Sequence, residues 1–162
     1  MHDLSEVTAV GDTTEDCPFC RMMAHEKDAV TFVTRTRMGA LFLNRDQTFR
    51  GRCILMYGEH VEAPTAIDRE RFKEFSGEAY DVSVVLLETL GAALVNYAIL
   101  RNGVAHLHWH LIPRYEGDPN WGRPPWPHEY LYLSDASYQE LARSLRARLL
   151  GRVTGVSEDK LP

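Results

Sequence analysis

Three of the seven histidines in this 162-residue chain lie within five residues, at His106, His108 and His110. Large apolar side chains alternate with them, at Leu107, Trp109 and Leu111. Successive side chains of a β-strand point to opposite faces, so this alternation predicts that all three imidazoles project from one face of a sheet. Neighbouring rings would be about 6.5–7 Å apart along the strand, close enough to act together on one phosphate group.

Two other interpretations of these histidines are open. They could be surface rings on a half-exposed strand, although titratable rings are rarely crowded together without a use. They could also hold a catalytic zinc ion, because His-x-His on a strand is a common arrangement of metal ligands. A zinc centre of that kind needs a further ligand and an open coordination position.

A second candidate site is the pair Cys17 and Cys20, which Pro18 and Phe19 separate. The polar, acidic N-terminus has no signal-peptide pattern, so a metal-binding or redox pair is favoured over a disulfide framework. No βαβ pattern surrounds the pair, which argues against a thioredoxin-like role, and a buried thiol pair is the remaining alternative. Cys53 lies in an apolar run and is interpreted as inert core.

Composition predicts a soluble, cytoplasmic protein of one domain, without a membrane span. Formal charge is −5, from 18 Lys and Arg against 23 Asp and Glu, which argues against binding to a nucleic-acid backbone. Residues 17–151 are expected to form the domain. Residues 1–16 and 152–162 are expected to be flexible.

The first strands are predicted from short apolar runs. Val30–Val33 and Met38–Leu43 would form a hairpin across the polar residues 34–37. Cys53–Met56 is a third apolar run between glycines and is predicted to be a buried strand.

Two more strands are predicted to flank an Asn-Gly pair. Leu94–Leu100 and Val104–Pro113 lie on either side of Asn102-Gly103, which is the strongest sequence signal for a tight type I′ hairpin. Residues 117–127 contain four of the eight prolines and are predicted to form an irregular loop.

Helical periodicity predicts two long helices. Thr65 and Asp68 form a possible capping box for the first, which would end at Leu90 before Gly91. The second would begin at Asp135 and end at Gly151. The first carries an apolar stripe: Phe72, Phe75, Ala79, Val82, Leu86 and Leu90. Together the elements predict an α+β fold with an antiparallel sheet of about five strands, one long central helix and a C-terminal helix.

The alternation of histidine and apolar residues resembles the signature of the histidine triad family of nucleotide hydrolases and transferases. The similarity covers roughly residues 17–115. It includes the segment from Phe42 through Gly51 to His60, and the Cys17/Cys20 pair found in one branch of the family.

The resemblance implies a mechanism. His108 would attack the α-phosphorus of a dinucleoside polyphosphate or nucleoside phosphoramidate and carry the nucleotide covalently. His110 would contact the phosphoryl oxygens and assist the leaving group, and Asn96 would lie near the phosphates. No catalytic metal is required, because phosphoryl-type transfer depends mainly on alignment and charge stabilisation. The resemblance also implies a homodimer in which two sheets continue into one.

In the branch with the cysteine pair, the resemblance further implies a structural zinc ion. Its ligands would be Cys17, Cys20, His60 and His106. Two thiolates and two imidazoles complete a tetrahedral site and leave no position for substrate.

Two positions depart from the family's pattern. Asn44 stands where an acidic residue usually binds the ribose hydroxyls, and it can still accept and donate hydrogen bonds. Residues 102–105 replace the usual Gly-Gln-Ser/Thr, so a hydroxyl is missing. Asn102 either replaces the glutamine or is simply a turn residue. These departures leave a catalytically weak nucleotide-binding regulator as an alternative function.

Other side chains are assigned provisional roles. Arg114 is interpreted as a surface residue rather than a polyphosphate ligand. Trp121 and Trp126 either wall a base or acceptor pocket or pack on a dimer partner. The remaining histidines are expected to be solvated surface rings: His2, His25 and His128.

Overall fold

The computed structural model describes residues 14–150 and residue 152 of the chain. The expected flexible segments 1–16 and 152–162 therefore fall almost entirely outside the described residues, as do His2 and the predicted helix end at Gly151. Among the described residues, no helix combines the length and the apolar character that crossing a bilayer requires.

The fold is α+β, built on one antiparallel sheet of five strands in the order β1-β2-β3-β5-β4. The strands are β1 (Phe32–Arg35), β2 (Gly39–Leu43), β3 (Cys53–Tyr57), β4 (Leu94–Ala98) and β5 (His108–Arg114). The helices are α1 (Pro18–Ala24), α2 (Arg69–Leu90) and α3 (Asp135–Leu149). The predicted sheet and both long helices are confirmed, while the turn of the first hairpin begins two residues later than expected, because β1 includes Thr34 and Arg35.

Both faces of the sheet are covered. On one face α2 and α3 pack against alternate side chains of the central strands, including Leu55 of β3 and Leu111 of β5. On the other face α1 packs against the intervening side chains, including Ile54 and Met56 of β3. Every residue of β2 and β3 is buried, as expected for strands covered on both sides.

The N-cap of helix α2 lies three residues after the predicted cap, Thr65. Asp68 is the N-cap, and its carboxylate accepts a hydrogen bond from the backbone N–H of Arg71 at 2.9 Å. The Thr65–Asp68 capping box is therefore wrong, because Thr65 belongs to a short 3₁₀ turn (Pro64–Ala66) that precedes the helix. The predicted end is correct, since Gly91 adopts the left-handed conformation with φ 66°.

The connection between β4 and β5 is not the predicted tight turn. It runs over residues 99–107, and neither Asn102 nor Gly103 has the positive φ that a type I′ turn needs. The backbone of Leu107 instead donates to Val61 and accepts from Tyr57. These bonds draw the segment before β5 towards residues 57–61, so β5 begins four residues later than expected.

Helix α1 carries Cys17 at its N-cap and was not predicted. It has seven residues, too few to show helical periodicity. Its one sequence signal is Pro18 at the first helical position, where the missing N–H costs nothing. The helix packs its buried side chains Phe19 and Met23 beneath the sheet, on the face that carries the histidines.

β2 and β3 approach so closely at Gly39 that adding one methyl group there should destabilise the protein. A Cβ at Gly39 would lie 1.8 Å from the carbonyl oxygen of Met56, so Gly39→Ala must force the two strands apart. We expect it to lower the free energy of unfolding by about 3 kcal/mol or more, measured by urea denaturation.

Gly77→Ala is the matched control for that variant. Gly77 lies within α2, and a Cβ there meets no atom within 4 Å. We expect it to raise the free energy of unfolding by about 0.5–1 kcal/mol, because alanine favours the helix. Equal effects of the two variants would contradict this account of the strand contact.

Candidate active site and metal centre

The three triad histidines (His106, His108 and His110) lie on one face of the sheet, as predicted. The Phe19 ring of α1 contacts His106 and His108, with ring centroids 5.9 and 4.9 Å away. His108 in turn contacts His110 at 4.7 Å. Leu107 and Leu111, which alternate with the histidines, are fully buried in the core on the opposite face. The predicted alternation of faces therefore holds, even though His106 precedes the strand.

His108 is held in one tautomer. Its side chain is almost completely enclosed, with 3% of the residue exposed. Its Nδ1 lies 2.5 Å from the carbonyl oxygen of His106, which can only accept, so Nδ1 carries the proton. Burial lowers the pKa of His108 and keeps the ring neutral at pH 7. The lone pair of a neutral imidazole is therefore at Nε2.

His110 touches His108 at that same atom. The two Nε2 atoms are 3.1 Å apart, and because the proton of His108 is on Nδ1, His110 donates this hydrogen bond. Its own Nδ1 is buried without a hydrogen-bond partner among the described residues. Burial, together with the neighbouring His108 and Arg52, lowers the pKa of His110 to about 3.

Both rings open onto a cavity of about 530 Å³, which we call the histidine cavity. Its wall combines aromatic rings, apolar side chains and one cation: Phe19, Arg52, Leu100, Asn102, Gly103, Val104, His108, His110, Trp126 and Tyr130. Asn102 thus lies at the same cavity as the two histidines. Trp126 stands edge-on to His110, with ring centroids 5.9 Å apart.

Asn96 and Arg114 face a neighbouring cavity of about 650 Å³. The side-chain oxygen of Asn96 accepts a hydrogen bond from Arg114 Nη1 at 2.9 Å. Arg114 is only 2% exposed and also forms two hydrogen bonds of 2.8 Å with Asp118. The interpretation of Arg114 as a surface residue is therefore wrong, because the carboxylate four residues later compensates the buried charge.

Asn44 follows β2 and is not among the described residues that line the histidine cavity. Its side-chain oxygen accepts a hydrogen bond from the backbone N–H of Asp46 at 2.8 Å and closes a local turn. The backbone N–H of Asn44 donates to the carbonyl oxygen of Arg52 at 2.8 Å, so Asn44 lies beside a residue of the cavity wall.

Cys17, Cys20, His60 and His106 form a second cluster, and their ligand atoms all lie within 4.8 Å of one another. The Nδ1 atom of His106 is 3.5 Å from both sulfur atoms, and that of His60 is 3.4 Å from Cys20 Sγ. Zinc bonds of about 2.3 Å to sulfur and 2.0–2.1 Å to nitrogen in a tetrahedron give a sulfur–nitrogen separation of about 3.5 Å. The cluster therefore fits a zinc ion in both donor type and spacing.

The surroundings of the cluster also suit a cation. His106 Nε2 donates to the carbonyl of Tyr57 at 2.7 Å, which leaves the Nδ1 lone pair facing the thiols. Burial and the adjacent Cys17 raise the pKa of Cys20 to about 11, so its thiolate would form only with a bound cation. Since His106 faces the cysteines, the three triad rings do not converge on one point, which argues against a His-x-His-x-His zinc centre.

A third cluster escaped the sequence analysis. Arg52 Nη1 and His128 Nε2 both bond Asp46 Oδ2, at 2.5 and 2.6 Å. The side chain of His128 is only 1% exposed, so its interpretation as a surface ring is wrong, whereas His25 is exposed as expected. Residues 46 and 128 are 82 positions apart and meet only in the folded chain, so no local sequence pattern could have linked them. Cys53 is buried, as predicted.

Comparisons with known proteins identify the fold. No protein-family model and no curated protein matches the sequence, but solved structures do. A histidine triad protein from Marinobacter aquaeolei is 26% identical over 77% of this chain and 96% of its own, with a TM-score of 0.65.

Two further solved structures are more distant in sequence. A zinc-bound histidine triad family protein from Mycobacterium smegmatis is 20% identical over 85% of this chain and 97% of its own, with a TM-score of 0.67. A diadenosine triphosphate hydrolase from Plasmodium falciparum is 16% identical over 78% of this chain and 81% of its own, with a TM-score of 0.62. The chain has the fold of histidine triad proteins, which confirms the resemblance.

Acid should weaken the cluster around Asp46. Burial acts to raise its pKa, but hydrogen bonds from His128, Thr48 and Leu131 outweigh burial and hold the pKa at about 2. Because the unfolded-state value is near 3.8, the contribution of Asp46 to stability is complete above about pH 5 and is lost as the pH falls from 4 towards 2.

The test is urea denaturation of the wild type and Asp46→Asn at pH 7 and pH 3. The difference in their free energies of unfolding should be smaller at pH 3. A difference that is unchanged or larger in acid would contradict the assignment of an ionised, hydrogen-bonded Asp46.

Proposed function

We propose that the protein is a nucleotide hydrolase or nucleotidyltransferase that cleaves at the α-phosphate through a nucleotide bound covalently to His108. The observation that carries this proposal is the state of His108. Its Nδ1 proton is held by a backbone carbonyl, its ring is neutral, and its Nε2 lone pair lies beside His110 at a cavity of about 530 Å³. The fold shared with a diadenosine triphosphate hydrolase supports the same chemistry.

The reaction follows from that geometry. His108 Nε2 attacks the α-phosphorus, forming a nitrogen–phosphorus bond while the bond to the leaving group breaks and its electron pair departs with that group. Water or another nucleophile then attacks the same phosphorus and loses its proton to solvent, while the nitrogen–phosphorus bond breaks and returns its electron pair to His108. His110 loses its hydrogen bond to His108 when the phosphorus binds there, and its Nε2–H becomes free to bond a phosphoryl oxygen.

The three candidate asparagines would contact different parts of the substrate. Asn102 is proposed to contact the nucleotide directly, because it lines the histidine cavity. Asn96 and Asn44 each use the side-chain oxygen within the protein, for Arg114 Nη1 and Asp46 N respectively. Their amide NH₂ groups can still donate, so we assign them to phosphate and ribose contacts at the margins of the site.

A zinc ion held by Cys17, Cys20, His60 and His106 would have a structural role, since four protein ligands leave no position for substrate. The ion would tie the start of α1 to the segment that precedes β5. The ion would thereby fix the ring of His106. This matters for His108, because the carbonyl oxygen of His106 is the group that orients the His108 ring.

Two further features belong to the proposal. Strand β4 lies at an edge of the sheet with Leu94 and Tyr97 exposed, which supports a homodimer whose two sheets join.

Thiolate ligands require reducing conditions, which supports a cytoplasmic location.

Removal of the nucleophile tests the covalent mechanism. His108→Ala should lower the turnover of diadenosine tetraphosphate and adenosine phosphoramidate by at least about three orders of magnitude. The wild type, quenched without acid, should show a mass increase of one nucleotide monophosphate that His108→Ala lacks.

His25→Ala provides the control, because His25 is exposed and lies outside both sites. It should match the wild type in turnover and in mass. Equal rates for His108→Ala and the wild type would exclude the covalent mechanism and favour a nucleotide-binding regulator.

Metal analysis tests the zinc site. The purified protein should contain about one zinc ion per chain, and Cys20→Ser should lose it and unfold at a lower temperature. Cys53→Ser is the control, since this third cysteine lies in the core away from the cluster and its loss should leave the zinc content unchanged. A wild type without zinc when refolded in excess zinc would refute the site.

A further inference from the structure

Arg52 is a buried cation with an unused hydrogen-bond donor. Its side chain is 7% exposed, Nη1 bonds Asp46 at 2.5 Å, and the guanidinium lies over the Trp126 ring, 5.4 Å from its centroid. The Nε–H group is buried and has no hydrogen-bond partner among the described residues. A buried polar group without a partner is costly, so a ligand that supplies an acceptor would bind there with a gain in free energy.

Arg52 is one of the residues that line the histidine cavity. Ile54 is paired with His110 and Met56 with His108, so continuing the register of β3 places Arg52 one step beyond His110 and away from His108. Arg52 and His110 also both contact the Trp126 ring. The order along this face is therefore nucleophile, second imidazole, cation.

We propose that Arg52 binds an oxygen of an anionic leaving group, so that the site selects phosphoric anhydrides such as dinucleoside polyphosphates over phosphoramidates. This inference rests on the function proposed above and adds a specificity-determining residue to it. The proposal rests on the position of Arg52. This fixed cation lies beyond His110, on the side away from His108 Nε2, which is the attacking nitrogen.

The chemistry of the two leaving groups differs in what it requires. When an anhydride is cleaved, the phosphorus–oxygen bond breaks and the electron pair stays on a phosphate oxygen, which departs as an anion without taking a proton. A preorganised cation stabilises that developing charge. When a phosphoramidate is cleaved, the nitrogen that departs must gain a proton. His110 is neutral at pH 7 and therefore a poor acid, as the pKa of about 3 indicates.

The test compares kcat/KM for diadenosine tetraphosphate and adenosine phosphoramidate in the wild type, Arg52→Gln and Arg52→Lys. The wild type should favour the anhydride. Arg52→Gln should lose about 10–100-fold on the anhydride, as expected for one charge-assisted contact, and less than about threefold on the phosphoramidate. Arg52→Lys should fall between the two, because it keeps the charge and loses the planar fork.

Asp46→Asn is the matched control, because it breaks the same ion pair from the other side and leaves the charge of Arg52 in place. It should keep the preference for the anhydride. If Asp46→Asn loses that preference as fully as Arg52→Gln does, or if Arg52→Gln lowers both activities equally, Arg52 has only a structural role and the inference is overturned.

The wild type alone also decides the inference if Arg52→Gln fails to fold. A higher kcat/KM for the phosphoramidate than for the anhydride overturns the role of Arg52 while leaving the proposed function intact. Turnover of neither substrate, together with no nucleotide attached to His108, overturns both.

Discussion

The hydrogen bond from His108 Nδ1 to the carbonyl of His106 is the interaction on which the rest of the site depends. It decides which nitrogen of His108 has a lone pair. Without this bond the neutral ring could carry its proton on Nε2 instead, and Nε2 would then have no lone pair. The acceptor is well anchored, because the His106 ring bonds the Tyr57 carbonyl through Nε2 and faces Cys17 and Cys20 through Nδ1. One residue thus joins the candidate metal centre to the candidate nucleophile.

The electrostatics of the histidine cavity follow from burial. Enclosure disfavours charge on His108 and His110, so both imidazoles stay neutral at pH 7. Arg52 keeps its charge in the same surroundings because a guanidinium does not lose its proton in proteins, and Asp46, which His128 holds in place, compensates that charge. The cavity therefore combines a neutral imidazole, the candidate nucleophile, with a fixed cation, an arrangement suited to the transfer of a negatively charged group.

Much of the architecture was predictable from local patterns. Short apolar runs between turn residues located five strands, apolar spacings of three and four located two long helices, and Gly91 marked the end of α2. The errors concern competition between local signals and tertiary contacts. Asn102-Gly103 has the composition of a tight turn, but backbone bonds between Leu107 and residues 57–61 hold the chain in a wider loop. The sequence does not reveal that His128 is buried, because its partner Asp46 is 82 residues away. Nor does it reveal the burial of Arg114, although its partner Asp118 is only four residues away, because the pairing itself does not show whether it lies inside the protein.

The sequence by itself determined which face of β5 carries the imidazoles, because the two-residue repeat of a strand leaves no other arrangement once Leu107 and Leu111 enter the core. It also supplied the four candidate metal ligands, two cysteines and two histidines. Only the tertiary structure decided that His106 turns towards the cysteines and that Arg52 meets Asp46 and His128 beside His110. The cysteines are more than 80 residues from His106, and His128 is 82 residues from Asp46, so these contacts depend on how the sheet, α1 and the loop before α3 pack together.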